Sequence, residues 1–193
     1  CSQPALVTMS NMTSPAVRVR PATPADLPAI NAIYNFYVDT SPATFDLEHT
    51  TLDWRTNWYA ERIGRRLPVL IADASGEVAG WVCLSPWSSK AAYARTADES
   101  IYIADSFRRR GVGRALLSAV LGEARRLDIH VVMAGVTACQ EASLALHQSL
   151  GFVEAGRYAH MGFKLGAWHD VVWLQRHLWL PGDEPDLSPS RRK

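Results

Sequence analysis

The chain has 193 residues, 48% of them hydrophobic, and its 20 Lys and Arg nearly balance 19 Asp and Glu for a net charge of +1. That balance gives no global field for nucleic acid or a membrane surface, so an anion site must be a local cluster. No apolar run approaches the roughly 18–20 residues of a membrane span.

The three cysteines, Cys1, Cys83 and Cys139, are odd in number and far apart. They offer neither a disulfide framework nor metal-ligand spacing, which fits a reducing cytoplasm. Residues 1–15 lack the basic start and apolar stretch of a secretion signal and read as a disordered lead, with Met9 or Met12 nearer a natural start. The Pro- and charge-rich residues 181–193 read as a disordered tail. Between them, AVRVR (16–20) alternates as a first strand. Thr23-Pro24-Ala25-Asp26 then supplies a cap, an initiating Pro and an acid for a helix running through Ile30, Ile33, Tyr34 and Tyr37. TSPATF (40–45) is a loop, and Thr51 to Ile63 a second helix with Trp54 and Trp58 one turn apart. PVLIAD and EVAGWVCL flank Ser75-Gly76 as an antiparallel hairpin over 68–84. Residues 85–97 form a long polar-aromatic connection before the strand ESIYIAD. A helix follows over 112–127, then HVVMAGV (130–136), an apolar run expected to be buried on both faces. A helix over 140–150 closes at Gly151, and a last hairpin turns at Gly166. This order predicts an α/β fold, a mixed twisted sheet with helices on both faces, in one domain over 16–180.

The chemistry begins at Arg108-Arg109-Arg110-Gly111-Val112-Gly113-Arg114, between a strand and a helix. Glycines let backbone N–H groups approach a ligand, a helix start presents unpaired donors, and arginines add forked charge. A pyrophosphate suits such a place, although a solvated basic patch at a helix start reads the same way from the loop alone. The spacing is neither a Walker loop nor a dinucleotide fingerprint. Arg108-x-x-Gly111-x-Gly113 does resemble the acetyl-CoA pyrophosphate motif of the GNAT N-acetyltransferases, and an apolar strand followed by S-L-x-L-H-x-x-L-G-F (Ser143 to Phe152) resembles that superfamily's second half. Finer motifs are similar to its phosphinothricin and methionine sulfoximine N-acetyltransferases. They are Thr44-Phe45, Pro86-Trp87 followed by Tyr93, Thr96 with the acid before Ser100-Ile101-Tyr102, and G-F-K-x-G-x-W-H-D from Gly162 to Asp170.

The resemblance implies a GNAT acyltransferase fold and direct transfer of acetyl from acetyl-CoA to the α-amino group of a small amino-acid-like substrate. It implies a homodimer whose C-terminal strands help to close the site, with no metal. It places the cofactor's pantetheine arm along Ile101, Tyr102 and Ile103, its pyrophosphate at Arg108 to Arg114, and further contacts at Gln140 and Ser143. Gln140 stands where the family usually has Asn. Substrate contacts fall on Phe45, Trp87, Lys90, Tyr93 and Phe163. Lys90 replaces the usual Arg, a point charge for a fork.

Amine acetylation needs a neutral amine, a base and a proton for the leaving thiolate. Three residues are candidates: Asp98, Glu99 and His147. Neighbouring strand residues face opposite ways, so at most one acid of TADESIYI easily reaches a given site. Asp98 shares parity with Ser100 and Tyr102 and holds the position of the family's catalytic Glu, so it is the first candidate, with Glu99 second. His147 reads from position as either a buried, satisfied histidine or a neutral-pH acid or base; the resemblance favours catalysis. A protein N-terminal acetyltransferase and a catalytically weak acetyl-CoA sensor are the alternatives.

Overall fold

A computed structural model describes residues 17–179, so the lead at 1–15 and the tail at 181–193 lie outside the described residues. Strand β1 (Arg18–Pro21) leads into a short 3-10 turn at Pro24–Asp26, where the Asp26 carboxylate accepts from Thr23 N at 2.7 Å and pairs with Arg20 at 2.8 Å. Pro28 then starts helix α1 (Leu27–Thr40). Helix α2 (Leu52–Gly64) is capped by the Thr51 hydroxyl, which accepts from Trp54 N at 3.1 Å. Strands β2 (Val69–Ala74) and β3 (Glu77–Pro86) form the expected hairpin, with Ser75 (φ 58°) and Gly76 (φ 95°) both left-handed at its turn. Strand β4 (Thr96–Ile103), helix α3 (Val112–Arg126), strand β5 (Val131–Thr137), helix α4 (Glu141–Ser149) and strands β6 (Val153–Lys164) and β7 (Ala167–His177) complete the chain.

The seven strands form one sheet in the order β1-β2-β3-β4-β5-β7-β6. Side-chain alternation splits its core in two. Val69, Ile71, Trp81 and Cys83 pack with Leu27, Ile30 and Trp58 under α1 and α2. Leu70, Val82, Leu84, Ala97 and Val132 pack with Leu116, Leu117, Val120 and Ala124 of α3 on the other face. Burial of these side chains at about 25 cal/mol per Å² is the main force holding both layers.

One strand pair decides where a site forms. β4 and β5 run parallel and are in register only at Thr96, Ala97 and Asp98, opposite Val131, Val132 and Met133. Beyond Asp98 they part. β5 instead stays paired with β7 along its whole length, from Val131–His177 to Thr137–Val171. The expectation that 130–136 is buried on both faces is corrected. Val132, Ala134 and Val136 are buried in the α3-side core, whereas Val131 and Met133 on the other face are half-buried and Gly135 is exposed. No helix of the described residues is long and apolar enough to cross a membrane.

Candidate active site

The gap between β4 and β5 opens into a cavity of about 690 Å³. Glu99 to Ile103 form one wall and Gly135 to Thr137 the other, with Gln140, Ser143 and His147 of the α4 region above. At the far end lie Arg108, Arg109, Gly111, Gly113 and Arg114. Arg109 (φ 61°) and Gly111 (φ 80°) take left-handed backbone, which turns the chain sharply into α3. No acid stands in the first turn of α3, so its unpaired N–H groups keep their pull on an anion. A Cβ at Gly113 would come within 2.9 Å of Leu146 Cδ2, so glycine there lets α3 and α4 meet.

These residues fit an elongated thioester cofactor with an anionic end. The strand edge beyond Asp98 is free of β5, and the arginine loop caps it. Of the twelve residues expected to contact that cofactor, Ile101, Tyr102, Ile103, Arg108, Arg109, Gly111, Gly113, Arg114, Gln140 and Ser143 line the cavity. The side chains of Arg110 and Val112 are not in its wall: Arg110 lies over the Phe107 ring at 5.5 Å, and Val112 is buried in the α3 core. The Gln140 amide donates to Ser41 Oγ at 3.2 Å.

That bond belongs to a set that the sequence reading missed. Thr137 Oγ1 donates to the Pro42 carbonyl at 2.7 Å, and the Tyr102 hydroxyl to the Ala43 carbonyl at 3.4 Å. The Lys164 ammonium, 4% exposed, donates to the Thr44 carbonyl at 2.8 Å. Burial lowers the pKa of Lys164 while Asp46 and Asp39 act the other way. Loop 41–45 is thereby pinned beside the gap, with Ala43 in the cavity wall. Backbone acceptors leave no residue-type signature, so sequence pattern could not reveal this clamp.

The acid pair is resolved by the two sheet faces. Glu99 lies opposite Leu84 on the α3 side, and Asp98 opposite Ser85 on the α1–α2 side. Glu99 Oε1 is 2.5 Å from His147 Nε2, and both side chains are buried. The His147 Nδ1 lies 2.7 Å from the Ser143 carbonyl, and the Phe152 ring meets the imidazole edge-on at 5.0 Å. Burial presses His147 toward its neutral form, yet the bond to Glu99, that residue's charge and the Ser143 carbonyl together raise its pKa. Asp98 is absent from the cavity wall, and one of its oxygens is buried without a partner. Burial first, then the charge of Glu99, push its carboxyl up to about 7, with Arg62 acting the other way. Arg62 donates to Ser85 Oγ at 2.8 Å, beside the same strand position. Of the two acids, Glu99 meets His147 and lines the cavity, while Asp98 lies on the other sheet face. Parity grouped Asp98 with Tyr102 correctly but carried no information on which face α4 covers.

The five expected substrate residues are not brought together. Phe45 packs against Gly162, where its ring leaves no room for a Cβ, and Phe163 is exposed on the β6–β7 hairpin 5.4 Å from Trp168. Trp87 meets Trp173 edge-on at 5.1 Å. Lys90 and Tyr93 line a separate cavity of about 370 Å³ with Arg65, Ser85 and Thr96. The 41–45 loop and the β6–β7 hairpin thus meet, while Trp87, Lys90 and Tyr93 lie on a separate segment. Among the described residues, no group of three or more His, Cys, Asp or Glu side chains could hold a metal ion.

The chain matches the family described as Acetyltransferase (GNAT) family over residues 30–152. It belongs to the GNAT acetyltransferases. The L-amino acid N-acyltransferase MnaT of Escherichia coli (strain K12) is 36% identical over 160 residues, covering 83% of this chain and 93% of that protein. A phosphinothricin N-acetyltransferase of Streptomyces viridochromogenes is 33% identical over 174 residues, covering 90% and 94%. The yncA putative acetyltransferase from Salmonella typhimurium, solved with its cofactor acetyl-CoA, superimposes with a TM-score of 0.85 at 33% identity, over 89% of this chain and 99% of that one. The mixed sheet with helices on both faces is the GNAT fold, and the parted strands of this acetyltransferase lie between the arginine loop and the Glu99–His147 pair.

Proposed function

We propose that this acetyltransferase moves the acetyl group of acetyl-CoA to the α-amino group of a small amino-acid-like substrate of the phosphinothricin or methionine sulfoximine type. The observation that carries this reading is the continuous gap from the arginine loop to Glu99 and His147, with Asp98 next to Glu99 on the other face of the same strand. Bound acetyl-CoA would supply a thioester, an acyl group ready for attack by a neutral amine. Arg108, Arg109, Arg114 and the α3 N-terminus would hold its phosphates, and the free edge of β4 its pantetheine arm. Asp98 takes the amine proton, directly or through water, as a carboxyl titrating at about 7 is suited to do. His147 faces the sulfur end as the proton donor. Neither Cys83, buried in the sheet, nor Cys139 is needed, because direct attack forms no acyl-enzyme.

The loop pinned by Thr137, Gln140 and Lys164 supports a small substrate over a protein chain, since it narrows the approach to the cavity. A homodimer belongs to the same proposal. Tyr158, Met161, Phe163, Leu165 and Trp168 leave a cluster of large apolar side chains exposed on the β6–β7 hairpin. A second copy would cover them and could unite substrate residues that one chain leaves apart. A single domain over 16–180 and a cytoplasmic setting complete the proposal.

The test is release of CoA thiol on incubation with acetyl-CoA and a panel of glutamate analogues, free amino acids and peptides. Turnover is expected with methionine sulfoximine or a similar free amino acid, at least tenfold faster than with any peptide. A preference for peptides, or no turnover of any amine, would contradict the reading.

A further inference from the structure

Glu99 is the only acid among the described residues that line the large cavity, and it is 6% exposed. Its partner His147 is 1% exposed. The hydrogen count of the pair follows from its neighbours. A carbonyl oxygen can only accept, so the Nδ1 atom facing Ser143 carries a hydrogen and donates it. The 2.5 Å contact between Nε2 and Oε1 then holds one more proton. It sits either on the ring, opposite a carboxylate, or on the carboxyl, opposite a neutral ring. In both arrangements the pair stores one transferable proton, shielded from bulk water and facing the gap.

Glu99 and the Ser143 carbonyl favour keeping it. From β4 itself, Asp98 lies on the opposite sheet face. From α4 comes the Ser143 carbonyl, and after α4 the Phe152 ring edge. The arginines of the loop, Arg108, Arg109 and Arg114, line the same cavity at its other end and are the only cations in its wall among the described residues. The second carboxyl oxygen of Glu99, Oε2, is buried and has no hydrogen-bond partner in the protein. An unpartnered carboxylate oxygen at a cavity wall calls for a donor from whatever occupies the cavity.

We propose that Glu99 is a positioning residue that keeps His147 loaded with a proton, making this buried pair the proton donor of the site. The inference rests on the acetyl-transfer reading above and deepens it by dividing the chemistry across one strand. The substrate nitrogen forms a bond to the acetyl carbon, and the carbon–sulfur bond breaks with its electron pair going to sulfur. Asp98, on the α1–α2 face, accepts the proton lost by nitrogen. On the α3–α4 face, the proton shared by His147 Nε2 and Glu99 Oε1 leaves that contact for sulfur, so that a neutral imidazole remains beside the Glu99 carboxylate, and a proton taken up from solvent afterwards restores the pair. One proton leaves the reactants and one enters, with no oxidant or reductant. The adjacent acids of TADESIYI thus do opposite jobs because the pleat sends them to opposite faces.

The test has one readout that needs no turnover. ¹⁵N-labelled His147 is titrated by NMR in the free enzyme, wild type and Glu99→Gln. Removing the negative charge is expected to lower the imidazole titration midpoint by about one unit or more. The alkaline limb of the kcat profile should move down by a similar amount, and kcat at pH 8 should fall about tenfold, with KM for acetyl-CoA within about twofold. The sign follows from the role, because a proton donor works below its pKa and activity is lost as pH rises through it. Glu99→Asp keeps the charge and is expected to fall between the two, which provides a second variant should Gln disturb folding. An unmoved His147 titration in Glu99→Gln would overturn the proposal, as would a lower kcat with an unchanged pH profile. A shifted titration supports the hold of Glu99 on His147 even if the amine panel shows no turnover, so failure of the substrate reading stays distinguishable.

Discussion

Asp98→Asn is expected to lower kcat by about 100-fold, the usual loss when a positioned base is removed, while acetyl-CoA binding changes little. Asp98 does not line the cavity that fits the cofactor, so the substitution should spare that affinity. The wild-type pH profile follows from the same carboxyl. Burial and the charge of Glu99 hold its pKa at about 7, and a base acts only when deprotonated. The acidic limb of kcat/KM should therefore rise through a pH of about 7 in the wild type and disappear in Asp98→Asn. Stability should move the other way. A carboxyl whose pKa is raised from 3.8 to about 7 on folding favours the protonated form. Its contribution to stability is complete below the unfolded value and is lost as pH rises toward the folded one. At pH 8 the buried carboxylate costs on the order of 4 kcal/mol. The neutral amide avoids that cost, so Asp98→Asn should melt several degrees higher than wild type at pH 8 and close to it at pH 4. Calorimetric melting at the two pH values, beside steady-state rates, checks both halves. Equal melting temperatures at pH 8 would show that Asp98 is not strained.

Trp81→Ala is expected to destabilise the fold by about 3–5 kcal/mol, the range for deleting a large buried aromatic. Trp81 is 2% exposed in the middle of β3. Its ring stacks on Tyr102 at 4.9 Å and meets Trp58 edge-on at 5.5 Å, with Tyr34 tilted against it at 6.3 Å. The Arg55 guanidinium is also buried in this cluster, 4.7 Å from the Tyr34 and Trp58 ring centres and 5.5 Å from Trp81. Among the described residues no carboxylate pairs with Arg55; Asn31 and Thr50 accept its hydrogen bonds, and burial lowers its pKa to about 10. Removing Trp81 therefore opens a cavity beside a buried charge and frees Tyr102, which lines the site. Urea unfolding checks the prediction, and a loss under about 1 kcal/mol would show that the neighbours collapse into the space.

What could be read from the residues depended on how far each element faces a core. α3 was legible because Leu116, Val120 and Ala124 repeat at helical spacing against the sheet. The β2–β3 hairpin was legible because Ser75-Gly76 demands left-handed backbone. The beginning of β6 at Val153 was missed, since this strand is the sheet edge and nearly all its side chains are exposed, leaving no alternation to detect. The arginine loop was found from local chemistry, whereas the packing of Arg110 on the Phe107 ring and of Val112 in the α3 core depended on tertiary contacts. The partner of His147 could not be read at all. It needs the knowledge that α4 covers the face of β4 that carries Ile101 and Ile103, a fact of tertiary packing. Arg55 and the loop clamp at Ser41 to Thr44 were invisible for the same reason, being contacts across more than twenty residues of sequence.

The central claim is that the gap opened where β4 and β5 part, closed by the arginine loop, is the acetyl-CoA site. Calorimetric titration of acetyl-CoA into the wild type and into Gly111→Val tests it most directly. Gly111 holds φ at 80°, with open space around the position where a Cβ would stand, so valine there disturbs the loop backbone and not a packed core. Saturable binding of one acetyl-CoA per chain by the wild type, weakened tenfold or more in a folded Gly111→Val, is the result expected. Unchanged affinity in that variant would contradict the account.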